Sequence, residues 1–172
     1  MITIDACDYT KVVAIRDRVR EVCMVVYKDA KVLLVTKHGY ADSQNMFRLP
    51  TGGVKQGETD EDTLNREMTE EFNQPLKFIK DLGLIEFLIT APNGEATFWT
   101  HVFVVEPTQE MKIENDSEHS DYRWVEVVGL PEYINKLEKI DAMLNEKYTE
   151  WSSWGKLRAE TLRYVYNRML PA

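Results

Sequence analysis

The segment Gly52 to Gln74, GGVKQGETDEDTLNREMTEEFNQ, constrains this chain more than any other stretch. Its glycines at 52, 53 and 57 mark a loop, and Thr59 with Asp62 three residues on predicts a capped helix running to about Phe72. Asn73 tolerates a left-handed exit and Pro75 forbids continuation. At about 100° per residue, Leu64, Met68 and Phe72 spread over about 80° as an apolar stripe, while Glu71, Glu67 and Glu70 fall at about −20°, −60° and −120° along its rim. Each pairing of Glu67 with Glu70 or Glu71 costs roughly 0.2–0.5 kcal/mol if nothing neutralises it. A helix shaped by stability alone would carry a lysine there. Converging carboxylates instead suit a hard, oxygen-seeking Mg²⁺ or Mn²⁺ ion, and such a site points to metal-assisted phosphoryl transfer to water.

The flanking sequence reads as strands and helices without a regular βαβ rhythm. Glu21 to Tyr27 and Val32 to Thr36 predict a hairpin through Lys28-Asp29-Ala30. Leu82 to Thr90 and Thr97 to Val105 predict a second through Ala91-Pro92-Asn93-Gly94. Phe47 to Pro50 is extended, because the residue before a proline avoids the helical region. Tyr122 to Val127 is a short strand, Leu130 to about Leu144 a helix with Pro131 in its first turn, and 152–170 an amphipathic C-terminal helix. The interleaving implies α/β (α+β) architecture, a mixed sheet with helices on both faces. No repeat, linker or low-complexity tract divides residues 1–172, so one domain is expected.

Composition narrows the partners. The chain has 21 Lys+Arg against 29 Asp+Glu, a formal charge of −8, and this disfavours wrapping a long nucleic acid. It leaves room for a small polyphosphate held through divalent cations. Two cysteines, Cys7 and Cys23, with no C-x-x-C, indicate a reducing, cytoplasmic compartment. The first 27 residues offer neither a basic leader nor an apolar run long enough for a signal or a membrane span.

The central segment resembles the signature of the Nudix hydrolase family, Gly-x5-Glu-x7-Arg-Glu-U-x-Glu-Glu-x-Gly-U with U a bulky aliphatic residue. Gly52, Glu58, Arg66, Glu67, Met68, Glu70 and Glu71 fall in register. Two positions depart from it: Asn73-Gln74 replaces the closing Gly-U, and Lys55 stands where the loop often carries an acid. The resemblance implies a Nudix-like α/β/α sandwich with a mixed β-sheet between helices. It also implies Mg-dependent hydrolysis of a pyrophosphate linkage in a nucleoside diphosphate joined to another group. Carried over by position, it makes Glu67, Glu70 and Glu71, with the Gly52 carbonyl, the metal ligands. Arg66 orients the glutamates, and Glu58 either supports the loop or adds a metal contact. The general base lies in a box glutamate or in the loop Glu114 to Asp121, where Glu118 is favoured and Asp121 is the alternative.

Tyr40, Phe47, Arg48 and Trp99 are candidates to hold a base or sugar, with simple packing as the competing reading. His38, His101 and His119 share no ligand spacing, and Trp151, Trp154, Tyr164 and Tyr166 read as core or homodimer contacts. Two alternatives stay open: a nucleotide-sensing domain without catalysis, and an isomerase of allylic diphosphates on the same fold, for which Cys7 and Cys23 lie in no evident motif.

Overall fold

The computed structural model describes residues 1–12, 18–37, 46–111, 119–140 and 151–170, with the backbone alone at 37, 119 and 120. In chain order the elements are β1 (Ile2–Asp5), β2 (Arg20–Lys28), β3 (Lys31–Lys37), β4 (Thr51–Gly53), α1 (Asp60–Phe72), β5 (Leu76–Ala91), β6 (Gly94–Pro107), β7 (His119–Glu126), α2 (Leu130–Glu138) and α3 (Trp151–Met169). The sheet runs β1-β5-β6-β2-β3-β7, with β4 paired to β2. The β1–β5 and β2–β6 pairs are parallel and the others antiparallel, so the sheet is mixed.

Strand β2 is apolar on both sides because it separates two cores. Cys23 and Val25 pack with Trp154, Leu157, Leu162 and Leu137 from α3 and α2. Val22, Met24 and Val26 pack with Leu64, Met68 and Phe72, the stripe of α1. Successive strand residues point to opposite faces, and this period places α1 on one face and α2 and α3 on the other. The arrangement is the expected α/β/α sandwich. Gly155 lets α3 lie close on α2, since a β-carbon there would strike the Leu137 carbonyl.

Both hairpins form. Asp29 and Ala30, both at positive φ, make a two-residue turn of the kind that matches strand twist. In the second hairpin, Ala91 pairs with Gly94. Strand β5 begins at Leu76, six residues before the expected Leu82, because bulges between Phe78 and Lys80 and between Asp81 and Gly83 carry an exposed stretch along β6 without strict alternation. Helix α2 stops at Glu138, short of the expected Leu144, where the Lys139 N–H turns back to the Lys136 carbonyl. Residues 141–144 lie outside the described residues.

The aromatic face of α3 is core: Trp151 and Trp154 are buried and meet edge to face at 5.3 Å. Tyr164 and Tyr166, further along the helix, are half-buried. Among the described residues no helix is long and apolar enough to cross a membrane.

Strands β2 and β3 touch only at Tyr27↔Val32 and Lys28↔Lys31, then diverge. The segment before α1 fills the gap. Arg48 exchanges backbone hydrogen bonds with Val35 at 2.8 and 2.9 Å, Pro50 accepts from the Met24 N–H at 2.9 Å, and β4 then pairs with Glu21 to Cys23. This inserted segment brings Gly52 beneath α1.

Candidate active site

Helix α1 is built as its sequence directs. Thr59 and Asp62 form a reciprocal capping box, Asp60, Glu61 and Asp62 complement the positive end of the helix dipole, and Asn73 exits at φ 49°. Arg66 is the hub of the site. Its Nε and Nη2 donate to the two oxygens of Glu58 at 2.7 and 2.9 Å, in a bidentate pair. Its Nη1 donates to Glu67 at 2.6 Å and to Glu70 at 3.0 Å, and Nη2 also reaches the Gly53 carbonyl at 3.0 Å. One planar guanidinium thus joins the loop, β4 and two of the three helix acids.

Glu58 further accepts from Thr63 Oγ1 at 2.8 Å and the Lys55 N–H at 3.0 Å. Arg66 above all, with the Lys55 amide and Thr63, holds its carboxyl down at about 2. Its oxygens are occupied by protein donors, the geometry of a loop support. Lys55 enters through its backbone, so the change of side chain there leaves the loop intact.

Glu67 is 8% exposed and lies against Gly52, where a β-carbon would overlap the glutamate arm. Burial pushes the Glu67 carboxyl above its ordinary range, Arg66 opposes this, and Glu71 and Glu70 reinforce it. Glu71 is half-buried and Glu70 has a side chain 54% exposed. The helical wheel puts Glu71 nearest the buried stripe, yet Glu67 is the deepest, because β4 closes over its flank. Among the described residues no three carboxylates, imidazoles or thiols close into a coordination shell, and Arg66 pairs with both Glu67 and Glu70.

Two substrate candidates lie in the interior. Phe47 is 2% exposed, edge-on to Tyr133 at 6.3 Å with Arg123 stacked 4.3 Å above it, and so is core. Arg48 is buried, donating to the Leu49 carbonyl at 2.8 Å and to Thr51 at 3.3 Å. Both are pulled inward as the 46–50 segment fills the gap between β2 and β3. Trp99 is half-buried on β6, in register with Arg20 and Glu86, on the α1 side of the sheet. Tyr40, Glu118 and His38 lie outside the described residues, as does most of the loop 114–121. Asp121 is exposed on β7 and caps the Tyr122 N–H at 2.8 Å.

Two arrangements go beyond the sequence expectations. Glu21, fully buried, receives Arg158 from α3 through both Nη atoms and Thr100 Oγ1 at 2.9 Å. Burial alone would raise its carboxyl, but Arg158 and Arg18 outweigh this and lower it. A charged residue inside an otherwise apolar strand is the signal that sequence offers for it. On the other side of the sheet, His101 stands between Asp60, 2.5 Å from Nδ1, and Asp81, 3.0 Å from Nε2, and Arg20 also pairs with Asp60. These residues line a cleft of about 570 Å³ beside the loop and the first turn of α1. Nothing in the sequence spacing joins positions 20, 60, 81 and 101, which three strands and a helix bring together.

A capped helix set on a mixed sheet, with an arginine gathering one acid of a glycine-rich loop and two of the helix, defines a class of acidic loop-helix sites. The model of the NUDIX domain matches residues 17–148, and the chain belongs to that family. No curated protein matches the sequence. Among solved structures, the fold is similar to the Escherichia coli dihydroneopterin triphosphate pyrophosphohydrolase, at 21% identity and TM-score 0.54, covering 84% of this chain and 94% of that one. It is similar to the NUDIX domain of Shewanella oneidensis NrtR complexed with ADP ribose, at 16% identity and TM-score 0.55, covering 89% of each chain. A MutT NUDIX hydrolase from Burkholderia pseudomallei is similar at 20% identity and TM-score 0.51, over 67% of this chain and 88% of that one.

Proposed function

We propose that this NUDIX enzyme hydrolyses the pyrophosphate linkage of a nucleoside diphosphate joined to another group, such as a nucleotide or nucleotide sugar, in the cytoplasm. The observation that carries the reading is the seating of the Glu67 carboxylate against Gly52, with Arg66 holding Glu67 and Glu70. The space a β-carbon would need is given to the Glu67 carboxylate, which lies against the Gly52 backbone. Oxygen donors of this kind fit a hard divalent cation, Mg²⁺ or Mn²⁺, which Glu67, Glu70, Glu71 and the Gly52 carbonyl would hold. Such an ion supplies Lewis acidity that offsets the phosphate charge and activates the attacking water.

The chain's own groups divide the remaining work. Arg66 fixes the carboxylates, and Glu58, engaged on both oxygens, fixes Arg66. Water attacks one phosphorus, the bridging P–O bond breaks, and the water's proton passes to a carboxylate while the leaving phosphate departs with the bridging oxygen. We assign that proton to Glu118, with Asp121 as the alternative. Trp99, with Tyr40, remains a candidate for contact with the substrate's base or sugar. The similarity to a domain complexed with ADP ribose supports a nucleotide-type substrate, and that to a protein named for dihydroneopterin triphosphate supports a phosphate anhydride.

The test is to incubate the protein with Mg²⁺ and a panel of nucleotides, ADP-ribose-like compounds and nucleotide sugars, and to identify products by mass spectrometry. Monophosphate products that vanish with Glu70→Gln or Glu71→Gln support the hydrolase. Tight binding of one compound with no turnover of any would instead establish the sensing domain. A Glu118→Gln enzyme with unchanged turnover would move the base to Asp121 or to the box.

A further inference from the structure

The signature's closing aliphatic residue is replaced by Gln74, and the side chain has a task of its own. It is buried, its Oε1 accepts from the Gln109 N–H at 3.1 Å, and its Nε2 approaches Met111 Sδ at 3.3 Å. Thr108 Oγ1 donates to the Pro75 carbonyl at 2.7 Å beside it. The helix exit thereby pins residues 108–111 as one wall of a groove of about 410 Å³, whose floor includes Tyr122 and Trp124 of β7. The volume is that of a small-molecule site. The acids of the box do not line it.

At one end of the groove stand Lys28 and Lys31, directly opposite each other across the β2–β3 hairpin. Strand alternation puts Lys31, Leu33 and Val35 on one face, and Trp124 and Tyr122 pair with Leu33 and Val35 on that same face. Like charges directly opposite in an antiparallel pair are destabilising. Glu126 of β7 stands in register opposite Lys31, yet neither lysine has an ion pair within 4 Å among the described residues. A chain of charge −8 that keeps two adjoining cations beside an aromatic floor presents a site for an aromatic anion. Asp29 and Glu110, also on the groove, are acceptors for hydroxyl groups.

We propose that this groove binds a nucleoside monophosphate, with the base on Trp124 and Tyr122, the phosphate on Lys28 and Lys31, and the ribose hydroxyls toward Asp29 and Glu110. The site is separate from the box and does not depend on the proposed hydrolysis.

Calorimetric titration with adenosine 5′-monophosphate in buffer containing EDTA tests it, since chelation removes metal-mediated binding at the box. The expected result is saturable binding of one equivalent, weakened about tenfold or more by combined Lys28→Gln and Lys31→Gln or by Trp124→Leu. Gln74→Leu weakens it as well by freeing the wall, whereas Glu70→Gln leaves it unchanged. Adenosine and inorganic phosphate, each alone, bind more weakly than the nucleotide. Absence of saturable binding overturns the proposal. So does affinity that survives both the lysine pair and the Trp124 substitution, loss of binding with Glu70→Gln, or equal affinity for inorganic phosphate. Circular dichroism of each variant separates a lost contact from a lost fold.

Discussion

The Glu67 side chain occupies the volume that a β-carbon on Gly52 would need. The glycine is therefore required for space, independently of any torsional freedom, and the carboxylate position depends on a backbone fifteen residues earlier in the chain.

Gly52→Ala forces Glu67 out of its seat while leaving the strand pairing of β4 with β2 possible. Displacement of a catalytic carboxylate by about 1 Å costs on the order of 10²-fold in rate. We expect kcat to fall by about that factor with the circular dichroism spectrum retained. Unchanged turnover in Gly52→Ala would show that Glu67 does not act from this position.

Arg66→Lys keeps a charge and loses the fork. A lysine cannot make the bidentate contact to Glu58 and also reach Glu67, Glu70 and the Gly53 carbonyl. Hydrogen bonds to charged groups contribute about 1.5–3 kcal/mol each, so a loss of about 2 kcal/mol in urea unfolding is expected, together with reduced turnover. A variant as stable as the parent would mean that solvent replaces the fork without penalty.

The pH dependence follows from Glu58. Its folded carboxyl sits at about 2, below the unfolded value, so its contribution to stability is complete above the ordinary glutamate range. That contribution is lost as pH falls from about 4.5 toward 2. Unfolding followed between about pH 6 and pH 2 should show a shallower decline in Glu58→Gln than in the parent chain. Parallel curves would place the acid sensitivity elsewhere.

The buried pair of Glu21 and Arg158 ties α3 to the strand that carries β4. Removing one partner of a buried pair costs roughly 3–5 kcal/mol because it strands the other charge, whereas an apolar replacement of both is often near neutral. Arg158→Met should therefore destabilise strongly, and Glu21→Leu added to it should recover much of the loss. A double variant no better than the single one would show that Arg18 and Thr100, both acting on Glu21, decide the outcome.

Helix α1 is legible in the sequence because its information is local. The Thr59–Asp62 cap, the Leu64, Met68 and Phe72 stripe and the Asn73 exit are relations within one or two turns, and the sheet has only to accept the face they define. The register of Gly52, Glu58, Arg66 and the three acids likewise lies within a single stretch of chain. Phe47 and Arg48 are ambiguous for the opposite reason. An extended aromatic-basic segment can face a ligand or fill a gap, and only the divergence of β2 from β3, a property of the whole sheet, draws it inside.

The sequence by itself determined the capped acidic helix, the two hairpins and the set of carboxylates, because periodicity and turn chemistry act over a few residues. Tertiary structure alone decided which acid lies deepest, that Arg66 takes two of them, that Glu21 meets Arg158, and that Gln74 walls the groove beside Trp124. Those contacts join residues whose separation along the chain carries no signal, and packing fixes them only when every element has found its face.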